Sequence, residues 1–125
     1  MTTPALRMTH VNLSCPDPRL LAGFYAELLG LAVREESPDW VVLEPTDGGV
    51  GLAFQPESGY RRPTWPARPG DQQMMLHLEI AVDDLEAALR RAVSLGATAA
   101  DVQPQDDVRV CLDPAGHPFC LYLPD

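Results

Sequence analysis

Twice along this chain, apolar and polar residues first alternate and then recur every three or four positions. From His10 the run His-Val-Asn-Leu-Ser-Cys alternates, an acidic turn follows at Asp17, and apolar residues then return at helical spacing as far as Gly30. The same succession restarts at His77, passes Asp83 and Asp84, and ends at Gly96. Alternation predicts a half-buried strand. The longer period predicts an amphipathic helix, with an acidic N-cap and a glycine just past its last turn. A shift of 67 residues carries His10 onto His77 and also Ala53 onto Cys120, so the repeat spans whole modules.

Short β-rich runs follow each helix: LAVRE, WVVLE and VGLAFQ in the first half, TAADV, DVRVCL and FCLYL in the second. Turn residues separate them, among them Asp113-Pro114-Ala115-Gly116, with proline at the second position of a type I turn. Each half therefore reads β-α-β-β-β. The expectation is one α+β domain over residues 1–125, with module 1 at about 6–56, a connecting loop at about 57–72 and module 2 at about 73–125. Residues 56–72 hold four prolines and two glycines, but also Tyr60, Trp65 and three arginines, too aromatic for an inert linker and suited to wrapping over something.

Strand alternation sorts side chains by face. His10, Asn12 and Ser14 share one face of the first strand; Val11, Leu13 and Cys15 share the other, which should meet the helix. His77 and Glu79 likewise lie opposite Leu78 and Ile80. On the last strand of each module, Leu52, Phe54, Phe119 and Leu121 should join the core, which turns Ala53 and Cys120 to the uncovered face. Four equivalent positions, His10, Ala53, His77 and Cys120, are thus expected on the face that no helix covers.

Composition narrows the function classes. With 46% hydrophobic and 22% charged residues the chain can build a core and is expected to be globular. A net charge of −9, no lysine, and nine arginines that do not cluster on one face speak against a nucleic-acid partner. No apolar run approaches the roughly 20 residues of a membrane span, and residues 1–7 lack an apolar leader core, so no membrane partner and a cytoplasmic location are expected. Cys15, Cys111 and Cys120 form no Cys-x-x-Cys pair and read as reduced, mostly buried thiols.

Three segments, HVNLSCPDPRLLAGFYAELLGLAV, HLEIAVDDLEAALRRAVSLGA and DPAGHPFCLYLPD, together resemble the vicinal oxygen chelate superfamily, which includes glyoxalase I, fosfomycin and bleomycin resistance proteins and extradiol dioxygenases. The loop YRRPTWP resembles a non-classical glyoxalase-like branch of it. The resemblance implies two tandem βαβββ modules whose curved sheets surround a small-molecule cavity, with helices on the outer face and two chains in a homodimer. It also implies that metal-dependent members place their four ligands at the positions of His10, Ala53, His77 and Cys120, usually with glutamates at the second and fourth. Here both histidines match and both carboxylates are replaced. Alanine offers no donor, and a thiolate suits zinc better than Mg, Mn or Fe. A divalent metal would have to rely on His10 and His77 with Glu79. Glu79 stands only two residues, about 6–7 Å, from His77, which makes joint ligation awkward.

Each candidate also has a structural reading. His10 and His77 can hydrogen-bond within a polar pocket, the stronger reading; Glu79 can pair with Arg109 or a histidine, or act as a catalytic base. Cys120 reads as a packed residue beside the ligand rather than a nucleophile. Trp40, Tyr60 and Trp65 can cover the protein's own surface or stack on a planar ligand. The function expected is binding of a small, partly aromatic molecule, as in drug sequestration, by His10, Asn12, Trp40, Tyr60, Trp65, His77, Glu79, Arg109 and Cys120, with no cofactor assigned. The alternative is a metal-dependent lyase, isomerase or dioxygenase.

Overall fold

The computed structural model describes residues 3–125. The chain is α+β and divides into two compact units between Glu57 and Ser58, so the connecting loop belongs with the second module. Ten elements follow in the order β1 (His10–Cys15), α1 (Pro18–Leu29), β2 (Ala32–Ser37), β3 (Trp40–Glu44), β4 (Gly51–Pro56), β5 (Leu78–Ala81), α2 (Leu85–Leu95), β6 (Thr98–Ala99), β7 (Val108–Leu112) and β8 (Pro118–Tyr122). The β-α-β-β-β reading of each half is what folds.

In module 1 the Asp17 carboxylate accepts the Leu20 N–H at 3.2 Å, Pro18 occupies the first turn, and Gly30 closes α1 in the left-handed region at φ 68°. The strands run β1-β4-β3-β2, with β1 parallel to β4 and the rest antiparallel, and a bulge between Val33 and Glu35. One face of this sheet is packed by α1: Leu21, Phe24 and Tyr25 are buried with Leu13, Val41, Leu43, Leu52 and Phe54. Tyr25 stacks on Phe54 with centroids 6.0 Å apart and takes the edge of Phe24 at 4.9 Å.

Module 2 repeats the plan. Asp84 caps α2 by accepting the Ala87 N–H at 3.0 Å, and Gly96 ends it at φ 123°. The strands run β5-β8-β7-β6, with β5 parallel to β8. The helix-side core is lighter, with Leu85 and Ala92 of α2 buried, as are Cys111, Phe119 and Leu121 of the sheet. Neither sheet closes into a barrel. Among the described residues, no helix is long and apolar enough to cross a membrane.

Of the run TAADV only Thr98 and Ala99 form strand. Beyond Ala100 the Gln103 side chain replaces a strand partner. Its amide donates to the carbonyls of Ala100 and Val110 at 3.0 and 2.9 Å, and its oxygen accepts the Val110 N–H at 2.8 Å. The predicted turn at Asp113 forms: Asp113 is buried, its Oδ1 accepts the N–H groups of Ala115 and His117, and Gly116 sits at φ 92°.

Candidate functional site

Parallel pairing of β5 with β8 sets Glu79 beside Cys120, and antiparallel pairing sets Cys120 beside Val110. These three share the face that α2 does not cover. His77, one residue ahead of β5, leans towards Glu79, and its Nε2 meets Glu79 Oε1 at 2.7 Å, which overcomes their backbone spacing. The ligand atoms of His77, Glu79 and Cys120 all lie within 4.8 Å of one another. Cys120 is buried while its two polar neighbours are exposed. Burial first, then the Glu79 charge and its hydrogen bond with the thiol, push the Cys120 pKa up. The sulfur therefore stays protonated at neutral pH and donates to the carboxylate. Trp65, from the connecting loop, packs against Ala100, Val110 and Cys120 on this same face.

The corresponding face of module 1 carries different chemistry. Asn12 pairs with Ala53 in register, and its amide donates to Gln55 Oε1 at 2.9 Å; Ala53 is wholly buried. His10 meets Thr9 Oγ1 at 3.1 Å through Nδ1 and lies edge-on to Trp40 at 5.9 Å. The Trp40 indole N–H donates to Glu35 Oε2 at 3.0 Å. Gln55 and Glu35 were not singled out from the sequence, although both follow from strand alternation once the register is known.

Two sequence-based candidates stand elsewhere in module 2. Arg109 pairs with Leu121 across β7 and β8, on the helix-covered face opposite Glu79. There its guanidinium binds Glu86 of α2 at 3.1 Å and the carbonyls of Asp106 and Val108. Of the two partners expected for Glu79, Arg109 or a histidine, the histidine His77 takes the place and Arg109 goes to α2. Tyr60 is fastened to the β7–β8 turn: its hydroxyl donates to the Ala115 carbonyl at 2.8 Å and lies 3.3 Å from His117 Nε2. Arg62, also passed over in the sequence, donates to the Pro114 carbonyl at 3.0 Å. Its signal was the crowding of three of the nine arginines into residues 61–68.

An imidazole, a carboxylate and a thiol so close together are donors of the kind zinc takes. A zinc ion would displace the Cys120 proton on binding, so the trio offers at most three donors. Ala53 has no donor atom at all. The residues present do not fit the four-ligand set that the resemblance implies.

A family model described as a glyoxalase-like domain matches residues 10–122. No curated protein matches the chain. Among solved structures, a possible glyoxalase from Bacillus cereus is 15% identical, covers 94% of this chain and 99% of its own, and superposes with a TM-score of 0.68. A glyoxalase/bleomycin resistance protein/dioxygenase family enzyme from Burkholderia phytofirmans PsJN is 22% identical, with coverages of 90% and 94% and a TM-score of 0.66. TnmS3, an antibiotic binding protein from Streptomyces sp. CB03234, is 18% identical, with coverages of 99% and 100% and a TM-score of 0.58. At these identities the likeness is one of fold. The match over nearly the whole chain, with both modules in the expected register, places this protein in the glyoxalase-like domain family of the vicinal oxygen chelate superfamily.

Proposed function

We propose that this protein binds a small, partly aromatic molecule on the uncovered sheet faces of its modules, in the manner of drug sequestration and without metal chemistry. The observation that carries this reading is that His77 Nε2 and the Cys120 thiol both turn to the Glu79 carboxylate, while Ala53 has no donor atom where the resemblance places a metal ligand. Trp65 supplies an apolar wall beside the trio, and His10, Asn12 and Trp40 are the proposed contacts on module 1. TnmS3, which shares the fold, is an antibiotic binding protein. Element analysis of protein purified without chelator tests the proposal, and less than a tenth of an equivalent of metal is the result expected. His77→Gln keeps a hydrogen-bonding group of similar reach, so it should weaken ligand binding by about tenfold or less.

The second reading, a metal-dependent lyase, isomerase or dioxygenase with Glu79 as base, is favoured by the closeness of the three donor atoms. It requires about one equivalent of metal and its loss in His77→Gln.

We also propose a homodimer. β1 and β5 are edge strands, and each is preceded by exposed apolar residues, Leu6 and Met8 in one case, Met75 and Leu76 in the other. Such edges invite a second copy. Sedimentation at micromolar concentration should give the mass of a dimer, and a monomer would refute it. The cytoplasmic setting is proposed because the three cysteines form no disulfide.

A further inference from the structure

The connecting loop of the second unit is held firmly where it leaves Tyr60. Besides the hydrogen bonds of Tyr60 and Arg62 to the 114–115 carbonyls, the Arg62 stem lies over Gly116 so closely that a Cβ there would stand 2.3 Å from Arg62 Cγ. Further along, Thr64 N–H donates to the Gln72 carbonyl at 2.9 Å, which closes the loop on itself. Between this loop and the β6 edge lies a cavity of about 600 Å³, a volume typical of small-molecule sites. A wall fixed in advance lowers the ordering cost of binding.

The lining mixes an aromatic surface with charge. The Trp65 indole and Leu112 are apolar walls; Arg62 and Arg68 contribute guanidinium groups, and Asp101 a single carboxylate. Among the lining residues two arginines face one aspartate, in a chain whose net charge is −9. Arg68 is shared with Asp71 at 3.0 Å in an exposed pair, a contact weak enough to yield to a ligand. The Thr64 hydroxyl, on the same wall, is buried with no hydrogen-bond partner among the described residues. The cavity adjoins the His77 face at Trp65 and Ala100 but contains none of its trio.

We propose that this cavity is a second binding site, for a small aromatic carboxylate carrying a ring hydroxyl. The ring lies against the Trp65 indole, the carboxylate is taken by Arg62 and Arg68, and Asp101 accepts from the hydroxyl. The site does not rest on the reading given above for the His77 face, although Trp65 borders both.

Trp40 and Trp65 are the two tryptophans of the chain, so the indole N–H resonance that is missing from Trp65→Phe reports on the wall that the cavity shares with the His77 face, and the His77→Gln arm below tells the two apart. Titration with 4-hydroxybenzoate should shift that resonance saturably at millimolar or lower concentration, and the neutral isostere 4-hydroxybenzamide should bind at least about tenfold more weakly. Arg68→Gln, at an exposed residue that leaves the fold intact by circular dichroism, should cost the acid about tenfold and the amide nothing. His77→Gln should change neither by more than about twofold. The proposal is overturned by the absence of a saturable shift up to about 20 mM, by equal affinities for acid and amide, or by Arg68→Gln without effect. A loss in His77→Gln as large as in Arg68→Gln overturns it too, by moving the ligand to the other face.

Discussion

Asn12 lies beside Ala53 in module 1, and Glu79 lies beside Cys120 in module 2, at the same point of the same parallel pairing. Positions 67 residues apart therefore occupy one place in the scaffold and hold an amide with a methyl in one case, a carboxylate with a thiol in the other. The helix-side positions behave differently: Leu13, Leu52 and Phe54 correspond to Ile80, Phe119 and Leu121, all apolar. Burial under a helix restricts those side chains to apolar ones that fill space, whereas the other face tolerates a change of chemistry without loss of fold. The comparison thus separates what the repeat needs to fold from what each module can do.

The helices sharpen the contrast. α1 buries the aromatic pair Phe24 and Tyr25, while the buried residues of α2 are Leu85 and Ala92. Removing a ring from the heavier core should have the largest effect of any substitution considered: Phe24→Ala should lose about 3–5 kcal/mol by cavity formation. Asn12→Ala, on the uncovered face of the same module, should lose about 0.5–1.5 kcal/mol. Urea midpoints measure both. Equal losses would mean that the two faces of module 1 have been assigned the wrong way round.

The β7–β8 turn and its counterpart after β3 form the next contrast. Gly116 and Gly48 both adopt positive φ, at 92° and 79°, yet only the first is overlaid by another side chain. Gly48→Ala meets nothing within 4 Å and should cost about 1 kcal/mol of backbone strain. Gly116→Ala adds a collision with Arg62 and should cost about 2–3 kcal/mol. It should also release the loop, visible as faster proteolysis near residues 61–68. If the two alanines are equally mild, Arg62 does not lie where the structure puts it.

Much of this was legible in the chain, and the exceptions have a common cause. Helix limits at Asp17, Gly30, Asp84 and Gly96, and the turn at Asp113, depend on contacts within four or five residues, which local chemistry determines. The face of Arg109 depends on the register of β7 against β8, and the shortening of β6 on a Gln103 side chain that reaches Val110. Tyr60 meets Ala115 and His117 across more than fifty residues, so its role as a fastening was invisible. The uncovered faces were found by alternation alone, but which side chains touch there needed the folded chain.

A smaller effect separates the modules by pH. Burial, and then the neighbouring Cys120, push the Cys111 thiol up to about 11 from 9.0. In the unfolded chain it ionises near its ordinary value, so between pH 9 and about 11 the folded state holds a proton that the unfolded state has lost. Its contribution to stability is complete below pH 9 and falls as pH rises through this window. The informative quantity is the difference from Cys111→Ala, whose urea midpoint should decline less between about pH 8.5 and 10.5. Parallel declines would remove Cys111 as a cause.

The smallest expected effect tests the pairing that distinguishes module 2 most directly. Glu79 raises the Cys120 pKa through its charge and through a hydrogen bond, while burial is the larger cause and would persist without it. Glu79→Gln keeps the shape of the side chain and removes the charge, so the thiol should ionise at a lower pH, though still above its ordinary value. Alkylation by iodoacetamide follows the thiolate population, so at pH 8 the rate at Cys120, resolved by peptide mass spectrometry, should rise. Cys111 gains nothing directly from the change, because its own shift comes from burial and from Cys120, and it serves as the internal reference. Asn12→Ala, at the matching place in module 1, should leave both rates alone. An unchanged rate at Cys120 would mean that the carboxylate and the thiol do not communicate, and the uncovered face of module 2 would then be chemically as quiet as that of module 1.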